Sequence, residues 1–249
     1  MNRTIKSYVW AIFAFTLVAD LRAQDGEGQK KELTESQKRV MKLLTEAHDL
    51  QGRKRYVDAL AKVTEAEALS PDNPEIFNVR GSIYLAAQLR DFDKARSDFN
   101  KAKELAPDAV PPQFNLAELE FVAGNFSEAE KGFEGLTSKF DRMPVSMRHL
   151  LKFKIFICKV KQGQRSAAES YLKENFTFMD DTPAYYFAKA VLAMEDKQDR
   201  LSNEWLAKAQ VIFKKPDTAA FLDSLLEAHY IHSVDIPEAD GQAAGEASK

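Results

Sequence analysis

Apolar side chains recur along this chain at the three- and four-residue steps of an amphipathic helix, as Val79, Ile83 and Ala86 do within one segment. The helical segments recur as well. Ala95 and Phe99 reappear as Ala129 and Phe133, each 34 positions later, within DFDKARSDFNKAKELAP and NFSEAEKGFEGL. An earlier copy, RYVDALAKVTEAEALSP, closes on Pro71 and the middle copy closes on Pro107, a gap of 36 that reflects two inserted residues. A fixed period of this length is what stacked helical hairpins produce, because no single hairpin can bury its apolar face alone. The pattern predicts helices throughout and leaves no room for strands.

The third copy, FNLAELEFVAGNFSEAEKGF over residues 114–133, sets Phe114, Leu116, Ala117, Phe121, Gly124, Phe126, Ala129 and Phe133 in register. The second carries Phe77, Gly81, Tyr84, Phe92, Ala95, Phe99, Ala102 and Pro107. The first carries Ala47, Tyr56, Ala59, Val63, Ala66 and Pro71. Small residues let the two helices of a hairpin approach, and aromatics fill the gaps between them. On these residues the chain resembles the tetratricopeptide repeat family, most specifically over residues 36–143. Weaker echoes follow. GQRSAAESYL matches Gly163 to Gly124 and Ala168 to Ala129, and YYFAKAVLAMED matches Ala188 to Ala117. The resemblance implies an all-α, right-handed superhelical array of helical hairpins. Its repeats fall near 40–73, 74–109, 110–143, 146–180 and 181–216, with a capping helix at 217–231 that shields the open end.

The flanks differ from the array. MNRTIKSYVWAIFAFTLVADLRAQDG opens with Arg3 and Lys6 and continues through about twelve apolar residues, too short a run to span a bilayer comfortably. Residues 1–23 therefore read as a secretory signal peptide ending at Ala23, with an uncleaved anchor as the alternative. The absence of a Cys after the apolar run gives no support to a lipid anchor. Together these features point to an exported, bacterial-type member of the family, periplasmic or extracellular. Residues 24–35 read as a flexible linker, after which Thr34 and Gln37 stand at capping-box spacing. Residues 232–249, small and polar, read as a disordered tail.

Charge and chemistry narrow the function further. The chain carries a formal charge of −3, and removing residues 1–23, which hold three cations and one anion, leaves −5. A mildly acidic protein has no general attraction for nucleic acid. Cys158, the single cysteine, sits in the apolar stretch FKIFICKV and reads as buried filler, not a reactive thiol. Among the four histidines only His229 and His232 share a helical spacing, and no third ligand accompanies them, so no metal is called for. No Gly-rich phosphate loop or nucleophile elbow occurs, and the carboxylates are interspersed with Lys and Arg as on a solvated face. The sequence thus calls for no catalytic residue and no cofactor. One run departs from this mixture. Arg142, Arg148, Lys152, Lys154, Lys159, Lys161 and Arg165 follow one another with no intervening Asp or Glu. It reads either as lysine stems that border a buried helix and send their charges to water, with Glu169 or Glu174 as partners, or as an anion-recognising patch.

The family resemblance implies recognition by shape, in a groove lined by the first helix of each hairpin. Carried onto this sequence, the groove takes Met41, Leu44 and His48, then Glu75, Asn78 and Ser82, then Phe114, Glu118, Phe121 and Val122. Tyr185, Lys189 and Leu192 follow, with Lys152 and Lys159 from the fourth repeat. The carboxylate-clamp positions of some family members hold other residues here, so binding of a chaperone tail is not implied. The acidic first half and lysine-bearing second half predict a bound segment with apolar or basic groups toward the first and acidic groups toward the second. The favoured function is a non-enzymatic scaffold that docks a protein segment in the envelope. A membrane-tethered assembly factor, and a cell-wall-glycan binder or enzyme with an unrecognised site, are the alternatives.

Overall fold

Thr34 starts the first helix. Its hydroxyl accepts the Gln37 backbone N–H at 3.2 Å, and Gln37 Oε1 accepts the Thr34 N–H at 2.9 Å, closing the capping box. The computed structural model describes residues 33–232, so the signal peptide, most of the linker and the tail lie outside the described residues. Helix α1 spans Glu35–Gly52 and α2 Tyr56–Leu69. Then come α3 (Pro74–Leu85), α4 (Phe92–Leu105), α5 (Val110–Val122) and α6 (Phe126–Glu134). A 3-10 turn, Thr137–Arg142, leads to α7 (Val145–Lys161), α8 (Arg165–Asn175), α9 (Ala184–Glu195), α10 (Asp199–Ile212) and α11 (Lys215–Glu227). No strand occurs among the described residues. The fold is all-α, built of paired helices. No described helix is long and apolar enough to cross a membrane.

The described residues divide into two compact units, 33–141 and 142–232. In the first, α1 pairs with α2, α3 with α4 and α5 with α6, and the first helices α1, α3 and α5 lie side by side. In the second, α7 pairs with α8 and α9 with α10, while α7 and α9 also touch.

Small residues set the hairpin spacing. Ala59, Ala95, Ala129, Ala168 and Ala209, one on the second helix of each hairpin, are all fully buried. At Gly81 a Cβ atom would stand 2.6 Å from the Phe99 ring, and at Gly132 it would stand 2.7 Å from the Ala117 Cβ, so both hairpins close on hydrogen atoms alone. Phe133 packs against both Phe114 and Phe121, at ring separations of 5.5 and 6.2 Å. Each hairpin turn needs one residue in the left-handed region. Gly124 and Gly163 supply it without strain, whereas Lys54, Arg90 and Lys197 adopt it with side chains attached.

The final helix packs on two earlier first helices of its unit. Phe221 of α11 packs with tilted rings against Phe153 of α7 at 5.3 Å and Phe187 of α9 at 5.5 Å. Lys154 of α7 is fully buried and donates to Glu227 of α11 at 3.1 Å. This corrects the expectation that the lysines of this run send their charges to water. Lys154 does not, because α11 covers it and provides a carboxylate.

Candidate functional site

Within the first unit, polar side chains form a row along the adjoining first helices. Gln51, in the last turn of α1, donates from Nε2 to the Ser82 carbonyl of α3 at 3.2 Å. One α3 turn earlier, Asn78 Oδ1 accepts from Asn115 Nδ2 of α5 at 2.8 Å. Gln51, Asn78, Ser82, Asn115 and Glu118 are all buried. Buried amides and hydroxyls are tolerated only when paired, and here they pair from one hairpin to the next. Their position is dictated by the backbone. Asn78 and Ser82 are one turn apart on α3, as are Asn115 and Glu118 on α5, so each helix presents a polar stripe to its neighbour.

Two titratable groups join this row. His48 is hydrogen-bonded to Gln51, and burial holds its pKa below the ordinary imidazole value despite that bond. Glu75, hydrogen-bonded to Asn78, is pushed by burial up to about 7 against the lowering effect of that bond. A carboxyl poised there can donate or accept a hydrogen bond near neutrality. The folded chain keeps the Glu75 proton up to about pH 7, while an unfolded chain releases it near 4.5. The associated stability is therefore fully present below pH 4.5 and is lost as pH rises through 7. His48 acts in the opposite sense, since its stability contribution is lost as pH falls from 6.5 toward the lowered folded value. Denaturant midpoints measured against pH should show Glu75→Gln gaining on the wild type between pH 4.5 and 8, by about 2 kcal/mol after allowance for the residue's partial exposure. A constant difference across that range would contradict the buried, protonated carboxyl.

Phe114 and Phe121 of the expected groove are completely enclosed, packed on Phe133 between α5 and α6. They shape the hairpin from within, and neither offers a surface to a ligand in this conformation. Asn78, Ser82 and Glu118 belong to the buried polar row, with Glu75 and His48 only partly exposed beside it.

In the second unit, Lys159 of α7 lies 5.5 Å over the Tyr171 ring of α8. Tyr185 and Lys189 of α9 instead face α10, where Lys189 Nζ stands 5.9 Å from the Tyr185 ring and 6.0 Å from Trp205. Lys152 is half-buried on α7. The basic run is thus dispersed. Arg165 takes both Glu169, at 2.6 Å, and Asp196, at 2.9 Å, and Lys161 sits 3.7 Å over the Tyr230 ring. His149 of α7 is hydrogen-bonded at 2.7 Å to Thr182 in the α8–α9 connection.

Gln51, Asn115 and Trp205 were not among the groove residues that the resemblance carried onto this sequence. For Asn115 a signal existed, since Asn78 and Asn115 stand 37 positions apart, one residue off the local 36-residue offset between hairpins. For Trp205 none did. Its exposure depends on how α8 and α10 splay over α9.

No family model matches the chain. A stretch of 124 residues, 50% of the chain, is 26% identical to the CTR9 homolog of Arabidopsis thaliana, and the match spans only 11% of that protein's length. A solved tetratricopeptide repeat protein from Parabacteroides merdae superposes with a TM-score of 0.57 at 18% identity, over 88% of this chain and 77% of that one. The crystal structure of PilW, a widely conserved type IV pilus biogenesis factor, gives 0.57 at 21% identity, over 78% of this chain and 87% of that one. The likeness is one of fold: an all-helical repeat architecture structurally related to tetratricopeptide repeat and PilW-like proteins.

Proposed function

We propose that the protein is a non-enzymatic scaffold of the cell envelope that docks a protein segment along the first helices of its repeats. The observation that carries this reading is the polar row on α1, α3 and α5. Apolar side chains would hold those helices together at lower cost, yet the chain places Gln51, Ser82, Asn78 and Asn115 there, with Glu75 and His48 half-open beside them. Amides locked by one another fix the alignment of these helices, and so hold the half-open Glu75 and His48 in place to meet a docked segment. Export rests on the signal-like residues 1–23, whose basic start and short apolar run are those of a secretory signal. The fold relationship to repeat and pilus-assembly proteins supports the scaffold role.

A photo-crosslinking amino acid at position 75 tests it. In cells it should yield discrete adducts with one or a few envelope proteins, while the same group at Val57, which is 82% exposed on α2, should not. Equal adducts from both positions, or none from position 75, would remove the docking face from α3.

A further inference from the structure

The second unit holds a groove of about 310 Å³ between α8 and α10, floored by α9. It is distinct from the polar row of the first unit. Trp205 forms one wall, and Leu172, Leu192 and Leu201 complete its apolar part. From Trp205 an aromatic strip continues through Tyr185, at 6.1 Å, to Phe178, a further 6.5 Å on. Phe178 is 66% exposed and its neighbour Met179 is 79% exposed. Phe178 and Met179 thus leave apolar surface open at the end of a strip rimmed by charge, the composition of an interaction site.

The charges decide what kind of partner fits. The two carboxylates of the groove, Glu169 and Asp196, are both taken by Arg165. Lys173 and Lys189 also line it, and neither makes an ion pair among the described residues. Lys208, likewise without an ion pair among those residues, stands 4.5 Å over the Trp205 ring. An indole with two ammonium groups within 6.0 Å of its ring, in a groove whose anions are neutralised, is complementary to carboxylates carried next to an apolar side chain.

We propose that this groove docks an acidic linear peptide of a partner protein, its carboxylates on Lys173 and Lys189 and an apolar residue against Trp205. The inference rests on the scaffold reading and adds to it a location and a ligand chemistry. Its geometry does not depend on the polar row, so crosslinking at position 75 can fail while this site stands, and the reverse.

The chain contains two tryptophans, Trp10 and Trp205, so Trp10→Phe in the full-length protein makes Trp205 the sole indole reporter. A short peptide alternating glutamate with leucine should shift its emission saturably at low salt, and the counterpart with lysine for glutamate should not. Affinity should fall about tenfold or more in Lys173→Glu/Lys189→Glu, fall less in Lys173→Gln/Lys189→Gln, and weaken as salt is raised. Far-ultraviolet circular dichroism should match the parent in both variants. No saturable shift, equal binding of the basic peptide, or undiminished binding by the folded Glu variant would overturn the proposal. Binding that emerges only after residues 233–249 are deleted would overturn the external partner too, assigning the groove to the chain's own segment bearing Asp235, Glu238, Asp240 and Glu246.

Discussion

Replacing Arg80 with alanine should destabilise the first unit by about 3 kcal/mol, the low end of what severing a buried ion pair costs. Arg80 stands on α3 and ties together the helices on either side in sequence. Its Nε and Nη2 meet the two Asp98 oxygens of α4 at 3.0 and 2.8 Å, and its Nη1 meets Glu67 of α2 at 2.6 Å. The guanidinium also lies 5.1 Å over the Phe77 ring. These partners hold its pKa above the already high arginine value, so the charge is present at any working pH. Asp98 is only 7% exposed, and without Arg80 its carboxylate remains buried and unanswered. The penalty comes from that orphan more than from the lost attraction. A double variant, Arg80→Met with Asp98→Leu, should therefore recover most of the loss. The denaturant midpoint reports both. A cost under about 1 kcal/mol for Arg80→Ala would mean that water reaches Asp98 freely.

The second large effect concerns the α3–α4 contact. Phe99 is fully buried, and its Cε1 and Cδ1 atoms would lie 2.6 and 2.7 Å from a Cβ at position 81. Phe99→Ala should cost about 3–5 kcal/mol through the cavity it opens. Gly81→Ala should cost about 1–3 kcal/mol, because overpacking outweighs the roughly 1 kcal/mol that alanine gains over glycine inside a helix. Combined, the two should cost less than their sum by about 1–2 kcal/mol, since each relieves the other's fault. Strict additivity in the double-mutant cycle would show that Gly81 and Phe99 do not share this contact.

The second site shows what repetition makes legible. Gly81, Ala95 and Phe99 stand out in the sequence because every hairpin must solve the same packing problem, and the solution recurs with the period. The all-helical fold followed from that recurrence. Arg80 did not stand out, because its partners lie 13 residues before it and 18 after it and obey no repeat spacing. The turns were half legible. Glycine announced the left-handed residue at Gly124 and Gly163, but Lys54, Arg90 and Lys197 take the same conformation under tertiary constraint, with nothing in their identity to signal it. The candidate site divides in the same way. The family resemblance set Asn78, Ser82 and Glu118 on the first helices of their hairpins, yet the union of Asn78 with Asn115 depends on how α3 and α5 align. The resemblance set Phe114 and Phe121 in the groove as well. Their turn inward follows from Phe133 beneath them.

The placement of α11 has a competitive consequence. Only Phe213 and Lys214 separate it from α10, so the helix meets α7 and α9 as a tethered ligand at an effective concentration on the order of millimolar. A free segment present at micromolar levels would have to bind that face about a thousandfold more tightly than α11 does to displace half of it. Evolution of new specificity there is accordingly handicapped, whereas the groove beside Trp205 has no resident competitor among the described residues, and if it docks the proposed peptide its specificity can drift by altering a few surface side chains.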